Sequence, residues 1–555
     1  MAAPPPTQDQ MFPTLDPGQI ERLAPFAHRR SVKKDEILFE QGDAVAGMFI
    51  VISGSIDIVS PAGRQETIVT VHHAGDFTGE VNLLSGRRSL VRARANEDSE
   101  LLEIDRATLR RIVQTDPELS EIFLRAFILR RTYLIANKRG DALIAGSSHS
   151  SDTLRLKEFL TRNGHPHTYI DVDRDKDAQE LLDHFQVKLE EIPILVCRGK
   201  KVLRNPSNAE AAECLGFNAE VDAEIRKDHV YDLIVVGAGP SGLAAAVYAA
   251  SEGLDVIVLE TSAPGGQAGS SSLIENYLGF PTGISGQELS GRAFLQAQKF
   301  GAQVAIAHVA SEFKCTQQPF GIGLKDGNLV QGRSVIVATG AEYRKLPLQN
   351  LAQFEGSGIY YGATHVEAQL CAGDEVIVIG GGNSAGQAAI FLSTKAKHVH
   401  LLVRGPALSE TMSRYLISRI EECPDITLRV HTEVHSLEGN GQLEKVSWRN
   451  GKTGEEETRD IYHIFSMTGA CPNTTWLRHC IQLDDKEFIK TGADLGAADL
   501  TEVGWPLSRQ PYLFETSVPR VFAVGDVRSG SVKRVASAVG EGSVAVQLVH
   551  KVLAE

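Results

Sequence analysis

Between the apolar run 232–236 and an alanine-rich stretch stand Gly237, Ala238, Gly239, Pro240, Ser241 and Gly242, and the next apolar run, from 256, ends in Glu260, 23 residues beyond Gly237. This spacing suits a dinucleotide phosphate held by main chain. The first glycine permits a tight turn, the second lets the backbone approach a pyrophosphate, and the third lets helix and strand pack closely. A helix starting there offers unsatisfied N–H groups and a favourable dipole to the phosphate, and an acid at the strand end accepts from ribose hydroxyls. The arithmetic recurs where 375–379 leads into Gly380, Gly381, Gly382, Asn383, Ser384 and Ala385. Here the position 23 residues on is Val403, followed by Arg404. An acid would repel a ribose 2′-phosphate and an arginine pairs with it, so NADP is expected over NAD at this second unit, with NADH as the alternative.

The chain that must position these residues has 555 of them, enough for three or four domains. With 42% hydrophobic and 23% charged residues it is of globular composition. A net charge of −14 argues against neutralising nucleic acid or anionic lipid. The one long apolar stretch, 233–250, carries glycines and a proline in its middle and reads as strand, turn and helix rather than a membrane span. The start lacks the basic and apolar regions of a secretion signal. Seven scattered cysteines, with no CxxC and no zinc spacing, predict a reduced, cytoplasmic chain without a metal site. Short alternating runs at 48–52, 55–59, 66–71 and 101–104 predict a β-barrel or roll. A helical stretch over 106–139 follows, with Arg125, Arg130, Arg131, Lys138 and Arg139 expected on a solvated face; no helix-turn-helix succeeds it. Residues 140–226 alternate strands at 142–145, 167–172, 194–197 and 201–204 with helices at 153–162, 178–185 and 209–215. The run 203–207 is expected to cap the last of these.

Several further residues give the second half a family resemblance. These are the run Val335, Ile336, Val337, Ala338, Thr339, Gly340; Gly265, Gly266, Gln267; Ile274, Glu275, Asn276, Tyr277; Gly525, Asp526, Val527; and Arg534, Val535, Ala536 leading into Gly540, Glu541, Gly542. With the two fingerprints, residues from about 230 to 555 resemble low-molecular-weight thioredoxin reductase, a flavoprotein with two Rossmann-like domains. The resemblance implies an FAD domain at 228–344 and 470–555, interrupted by an NADPH domain at 345–469, and a homodimer. It implies FAD contacts at Gly237, Gly239, Pro240, Ser241, Gly242, Glu260, Gly266, Gln267, Asn276, Val309, Ala338, Gly340, Gly525, Asp526, Val535 and Ala536. NADPH contacts are implied at Gly380, Gly382, Asn383, Ser384, Ala385 and Arg404. The family's CxxC falls at Gly362 and His365, so no dithiol stands there. His365 is the candidate for relaying a proton or meeting an acceptor, against the plainer reading of a solvent-facing helix histidine. Cys371 is read as an ordinary unpaired thiol.

The module at 140–227 resembles the thioredoxin and glutaredoxin fold, with a cis Ile192–Pro193 bond expected and the redox positions at Ser150 and Thr153, where no disulfide can form. It is expected to act as a spacer or docking domain. In the first module, 1–139, Gln41, Gly42 and Asp43, then Gly75, Asp76, Phe77, Thr78, Gly79 and Glu80, then Arg87, Arg88 and Ser89 resemble the cyclic nucleotide-binding domain. That resemblance implies Glu80 on a ribose hydroxyl, Arg87 or Arg88 on the cyclic phosphate, and Gly79 and Ser89 beside them. The leading expectation is an FAD-dependent NADPH oxidoreductase without its own dithiol, passing electrons to a small redox protein or small molecule and modulated by a cyclic nucleotide. Thioredoxin-disulfide reductase and a low-turnover ligand or redox sensor are the alternatives.

Overall fold

The computed structural model describes residues 8–44, 47–62, 65–137, 140–175, 178–225, 228–477 and 479–555. Alternating apolar residues near the N-terminus close two antiparallel sheets on each other. One runs in the order His28–Val32, Ser99–Asp105, Gly47–Ser53; the other runs Ile37–Phe39, Arg92–Ala95, Ile56–Ala62, Gln65–His72. Helices Arg106–Thr115 and Pro117–Ala136 follow. The single helix expected over 106–139 is therefore corrected to two. Asp116 caps the second, its side chain accepting from the Leu119 N–H at 3.0 Å, and Pro117 has no N–H to continue the first. Arg125 is exposed, as a solvated face requires, but Arg130 and Arg131 are buried. Lys138 and Arg139 lie outside the described residues.

The second module orders its strands Lys201–Arg204, Ile194–Cys197, Ala142–Gly146, His167–Asp171, with only the last pair parallel. This sheet is accompanied by helices Ser151–Arg162, Ala178–His184 and Asn208–Leu215. Ile192–Pro193 is cis. Ser207 and Glu210 form the reciprocal cap that opens the last helix.

Beyond residue 228 lie two parallel sheets, and their strands read as unbroken Val, Ile and Leu because helices cover both faces. The first has Gln303–Ile306, Val256–Glu260, Val230–Val236 and Leu329–Val337 in order, with Val521–Ala523 parallel to the last and a hairpin of Ala310–Lys314 and Phe320–Leu324 extending it. The second runs Ile359–Tyr360, His463–Ser466, Glu375–Ile379, His398–Val403, Ile426–Val430. Ala341–Tyr343 pairs antiparallel with Ala470–Pro472 where the chain crosses between them.

The modules share cores. Ile144, Leu156, Phe159 and Phe217 of the thioredoxin-like unit belong to one buried cluster with Leu233, Val235, Leu243 and Val549 of the first parallel-sheet domain. Leu154, three residues before Lys157 on the same helix, joins the cluster of the second, beside Tyr360, Ala363 and Cys371. Leu295, on helix Gly286–Phe300, enters the barrel's core. The spacer of the sequence reading is thus docked against both nucleotide domains.

Candidate functional site

The first glycine turn ends strand Val230–Val236 and opens helix Pro240–Ser251. Gly237 has φ +106, and a Cβ there would strike the Ala338 carbonyl. A Cβ on Gly242 would strike the Gly237 carbonyl, whereas Gly239 faces open space. Two glycines are needed for packing, and the third leaves a cradle that a side chain would fill. Glu260 is buried, accepting from Ala238 N–H at 2.8 Å and Ser262 N–H at 2.9 Å, so its carboxylate is fixed at the turn with lone pairs to spare. The Gly265 N–H donates to Ala238 O at 2.7 Å and Gly266 sits against Gly239, which brings the loop carrying Gln267 onto the turn. Gly525 lies against Ser241, and a Cβ on Gly340 would meet open space. Burial lifts the Asp526 carboxyl above its ordinary range. Val535 and Ala536 start the last helix, Val535–Ala554. Val309 follows His308, whose N–H donates to Glu260 O. Asn276 is exposed, on the bend after the Ile274–Ile284 bridge. Ala338 is buried between the turn and the sheet.

The second turn repeats the design. Gly380 packs against the Met467 carbonyl, Gly382 faces open space, and Ala385, buried, takes the packing position. The Asn383 Oδ1 accepts from Ser413 N–H at 2.7 Å, and Ser384 and Tyr343 line the same recess. Arg404 is 87% exposed, with only a loose pair to Glu433 at 3.9 Å, so its charge is available to an anion. Between the domains lies a recess of about 410 Å³ that collects Gln267, Tyr343, Gly362, Ser384 and Met467, together with Ser270, Ser271 and Ser272. Three sets of residues predicted from separate motifs therefore meet. Tyr343 and Met467 were missed, because neither belongs to a motif; Tyr343 ends a crossing strand and Met467 follows strand His463–Ser466. The bidentate pair of Arg419 with Glu275, at 2.6 and 2.9 Å, ties the two domains together across this gap.

No cysteine lines the recess. His365 is the first residue of helix His365–Leu370, capped by Thr364, and its side chain lies outside the described residues. Cys371 is fully buried, and burial pushes its thiol up to about 11, which suppresses the thiolate. The expectation of seven reduced thiols is corrected: Cys197 pairs with Cys214 and Cys315 with Cys480, residues 17 and 165 apart in sequence that the fold brings to Cα distances of 6.5 and 6.0 Å. Cys197 and Cys214 are buried in the core. In the second module the Ser150 hydroxyl caps the helix by accepting from the Thr153 N–H at 3.4 Å, and Thr153 is fully buried.

In the barrel a recess of about 660 Å³ is lined by Gly79, Glu80 and Ser89, as expected, and by apolar side chains. Neither Arg87 nor Arg88 lines it. Arg87 is buried 4.4 Å over the ring of Phe217 and 5.4 Å over that of Phe294, donating to Asn163 O at 3.0 Å. Arg88 donates to Gly42 O at 3.1 Å and packs on Gly216. The following modules supply an aromatic face and a carbonyl that the isolated barrel would lack. Arg130 occupies the recess instead.

Two glycine turns, each joining a parallel strand to a helix in its own sheet domain, with a recess between the domains, have the layout of a two-dinucleotide oxidoreductase. Residues 231–542 match the family model of pyridine nucleotide-disulphide oxidoreductase, and residues 29–116 match that of the cyclic nucleotide-binding domain. The chain belongs to the pyridine nucleotide-disulphide oxidoreductase family and is an FAD-dependent NAD(P)H oxidoreductase of thioredoxin-reductase type. It is 34% identical over 319 residues to the thioredoxin reductase of Ureaplasma parvum, covering 57% of this chain and 94% of that one. To the NADPH-dependent thioredoxin reductase 3 of Arabidopsis thaliana it is 30% identical over 368 residues, covering 64% and 65%. The crystal structure of T. acidophilum thioredoxin reductase superposes with a TM-score of 0.52 at 30% identity, over 59% of this chain and 99% of that one. That of the Lactococcus lactis enzyme in its FR conformation gives 0.52 at 27% identity, over 58% and 99%. Among the described residues no helix is long and apolar enough to cross a membrane, and no cluster of ligating side chains could hold a metal.

Proposed function

We propose that this chain oxidises NADPH and delivers the electrons to an acceptor outside the chain, with no dithiol of its own between. The observation that carries the reading is the recess where Gln267, Ser384 and Gly362 meet without a cysteine. The open cradles at Gly239 and Gly382 suit the two pyrophosphates. When bound, FAD takes a hydride from the nicotinamide and can release two electrons to an oxidant. This chain's residues do the rest. Glu260 is set to hold the adenosine ribose of FAD and Asp526 oxygens nearer its ribityl end. Asn383 and Ser384 orient the nicotinamide nucleotide, and Arg404 meets a 2′-phosphate, which favours NADPH over NADH. Tyr343 and Met467 wall the recess against water.

The acceptor class is a small redox protein or a small molecule, reached by a cytoplasmic homodimer divided at residues 139, 227, 344 and 469. A cyclic nucleotide in the barrel modulates turnover. Its route to the flavin loop is physical: Arg87 on Asn163, the Asn163 side chain on Ser262 O at 3.0 Å, and Arg162 on Gly266 O at 2.8 Å. Anaerobic titration of the purified holoenzyme with NADPH is expected to bleach the oxidised flavin at about one equivalent. A flavin that stays oxidised sinks the proposal. NADPH-dependent reduction of an added thioredoxin would replace it with the disulfide reductase reading.

A further inference from the structure

The barrel recess holds two charged side chains whose hydrogen-bonding capacity the fold leaves partly unused. Arg130 is 6% exposed; its Nε donates to Met11 O at 3.0 Å and its Nη1 to Gly79 O at 2.8 Å, while Nη2 has no partner among the described residues. Neither carboxylate oxygen of Glu80 accepts a hydrogen bond among the described residues, although Oε2 lies 3.3 Å from the Arg131 Nε as an ion pair. Around them Phe39, Ile58, Val69 and Leu134 present apolar surface. A buried guanidinium nitrogen and a buried carboxylate without donors are each costly unless something completes them. The missing partners have opposite chemistry: an anion for Arg130, a hydroxyl donor for Glu80. Burial pulls the Arg130 guanidinium down to about 9, so it keeps its charge at neutral pH. The wall suits a flat, apolar body between the two.

Resting on the reading that the barrel takes a cyclic nucleotide, we propose that Arg130, on the long helix Pro117–Ala136, is the cation that holds its phosphate, with Glu80 accepting from the ribose hydroxyl. Arg87 and Arg88 are struts between modules and do not touch the ligand. The phosphate is then tied to the helix that leaves the barrel, while the turn at 86–89 stays engaged with Asn163, Phe217 and Gly216.

Calorimetric titration of the full-length holoenzyme with cAMP and with cGMP tests this. The wild type is expected to bind at least one of them. Arg130→Gln is expected to weaken that binding about 10- to 100-fold, the range for losing a hydrogen bond to a charged group. Arg130→Lys recovers part of the loss, and Arg87→Gln and Arg88→Gln stay within about threefold of wild type. Since Arg130 also holds Met11 and Gly79, each variant's melting temperature is compared, and Glu80→Gln provides a second weakened variant that leaves those bonds intact. Binding abolished by Arg87→Gln or Arg88→Gln but kept by Arg130→Gln overturns the proposal, as does a wild type that binds neither nucleotide at millimolar concentration. NADPH reduction of the flavin in the same samples reports separately on the oxidoreductase reading.

Discussion

At single residues the molecule separates glycines that pack from glycines that leave room. Gly237 and Gly242 have no space for a Cβ, whereas Gly239 and Gly382 face open space at the starts of their helices. Gly239→Val is therefore expected to fold, since no protein atom lies within 4 Å of the added Cβ, yet to purify without yellow flavin. Gly382→Val is expected to keep its flavin absorbance and lose reduction by NADPH, with KM for NADPH raised by about 100-fold or more, a change of about 2.7 kcal/mol. Flavin content and stopped-flow reduction check the pair; identical behaviour of the two variants would show that the turns are not divided between the cofactors. Both turns were legible in the sequence because their roles belong to the backbone, which a glycine spacing encodes directly. Tyr343 and Met467 were not, because Tyr343 reaches the recess from the strand paired with Ala470–Pro472 and Met467 from the end of strand His463–Ser466, its N–H donating to Ile379 O.

Secondary-structure elements were legible where the apolar pattern is strong, and strands 194–197 and 201–204 fall where alternation puts them. What one element does to another was less visible. At the edge of the thioredoxin-like unit, burial alone would raise the Asp141 carboxyl, but His165 at 2.8 Å and Arg198 at 3.2 Å outweigh it and hold it below its ordinary value. Burial holds His165 below the ordinary imidazole range, so at neutral pH a neutral ring donates to a carboxylate. A depressed carboxyl gives stability that is present above its unfolded value, about 3.9, and lost as pH falls through the folded one. The depressed histidine acts in the same direction, because its unfolded form takes up a proton first as pH falls below about 6.5. Asp141→Asn is expected to cost about 3–5 kcal/mol at neutral pH by leaving Arg198 and His165 without their buried partner, and to flatten the acid limb of the stability curve. Local hydrogen exchange in strands Ala142–Gly146 and Ile194–Cys197 from pH 4 to 8 measures both; an unchanged acid limb would assign the pair no part in stability.

For the whole molecule, the decisive contacts are those that join modules. Arg87 leaves its barrel to stack between Phe217 of the thioredoxin-like unit and Phe294 of the flavin domain, and burial brings its guanidinium down to about 9. Arg87→Ala is expected to loosen this junction by about 1–3 kcal/mol, the range of a desolvated cation–π contact with a charged hydrogen bond. Exchange should quicken at residues 159–163 and 215–218 while the glycine turns stay protected, and any effect of cyclic nucleotide on NADPH oxidation should shrink. Unaltered exchange at 159–163 would mean that the barrel is held by other contacts, such as the Arg106–Glu220 pair. The sequence by itself determined the two glycine turns, the barrel, the alternation of strands and helices over 140–227 and the absence of CxxC, since each is a matter of residue type at fixed spacing along one segment. Only the tertiary structure decided which arginine faces the barrel's recess, which cysteines pair, and that the unit at 140–227 is docked on both nucleotide domains. The cysteine pairs alone join residues 17 and 165 apart in sequence, and local periodicity carries no information about partners at that distance.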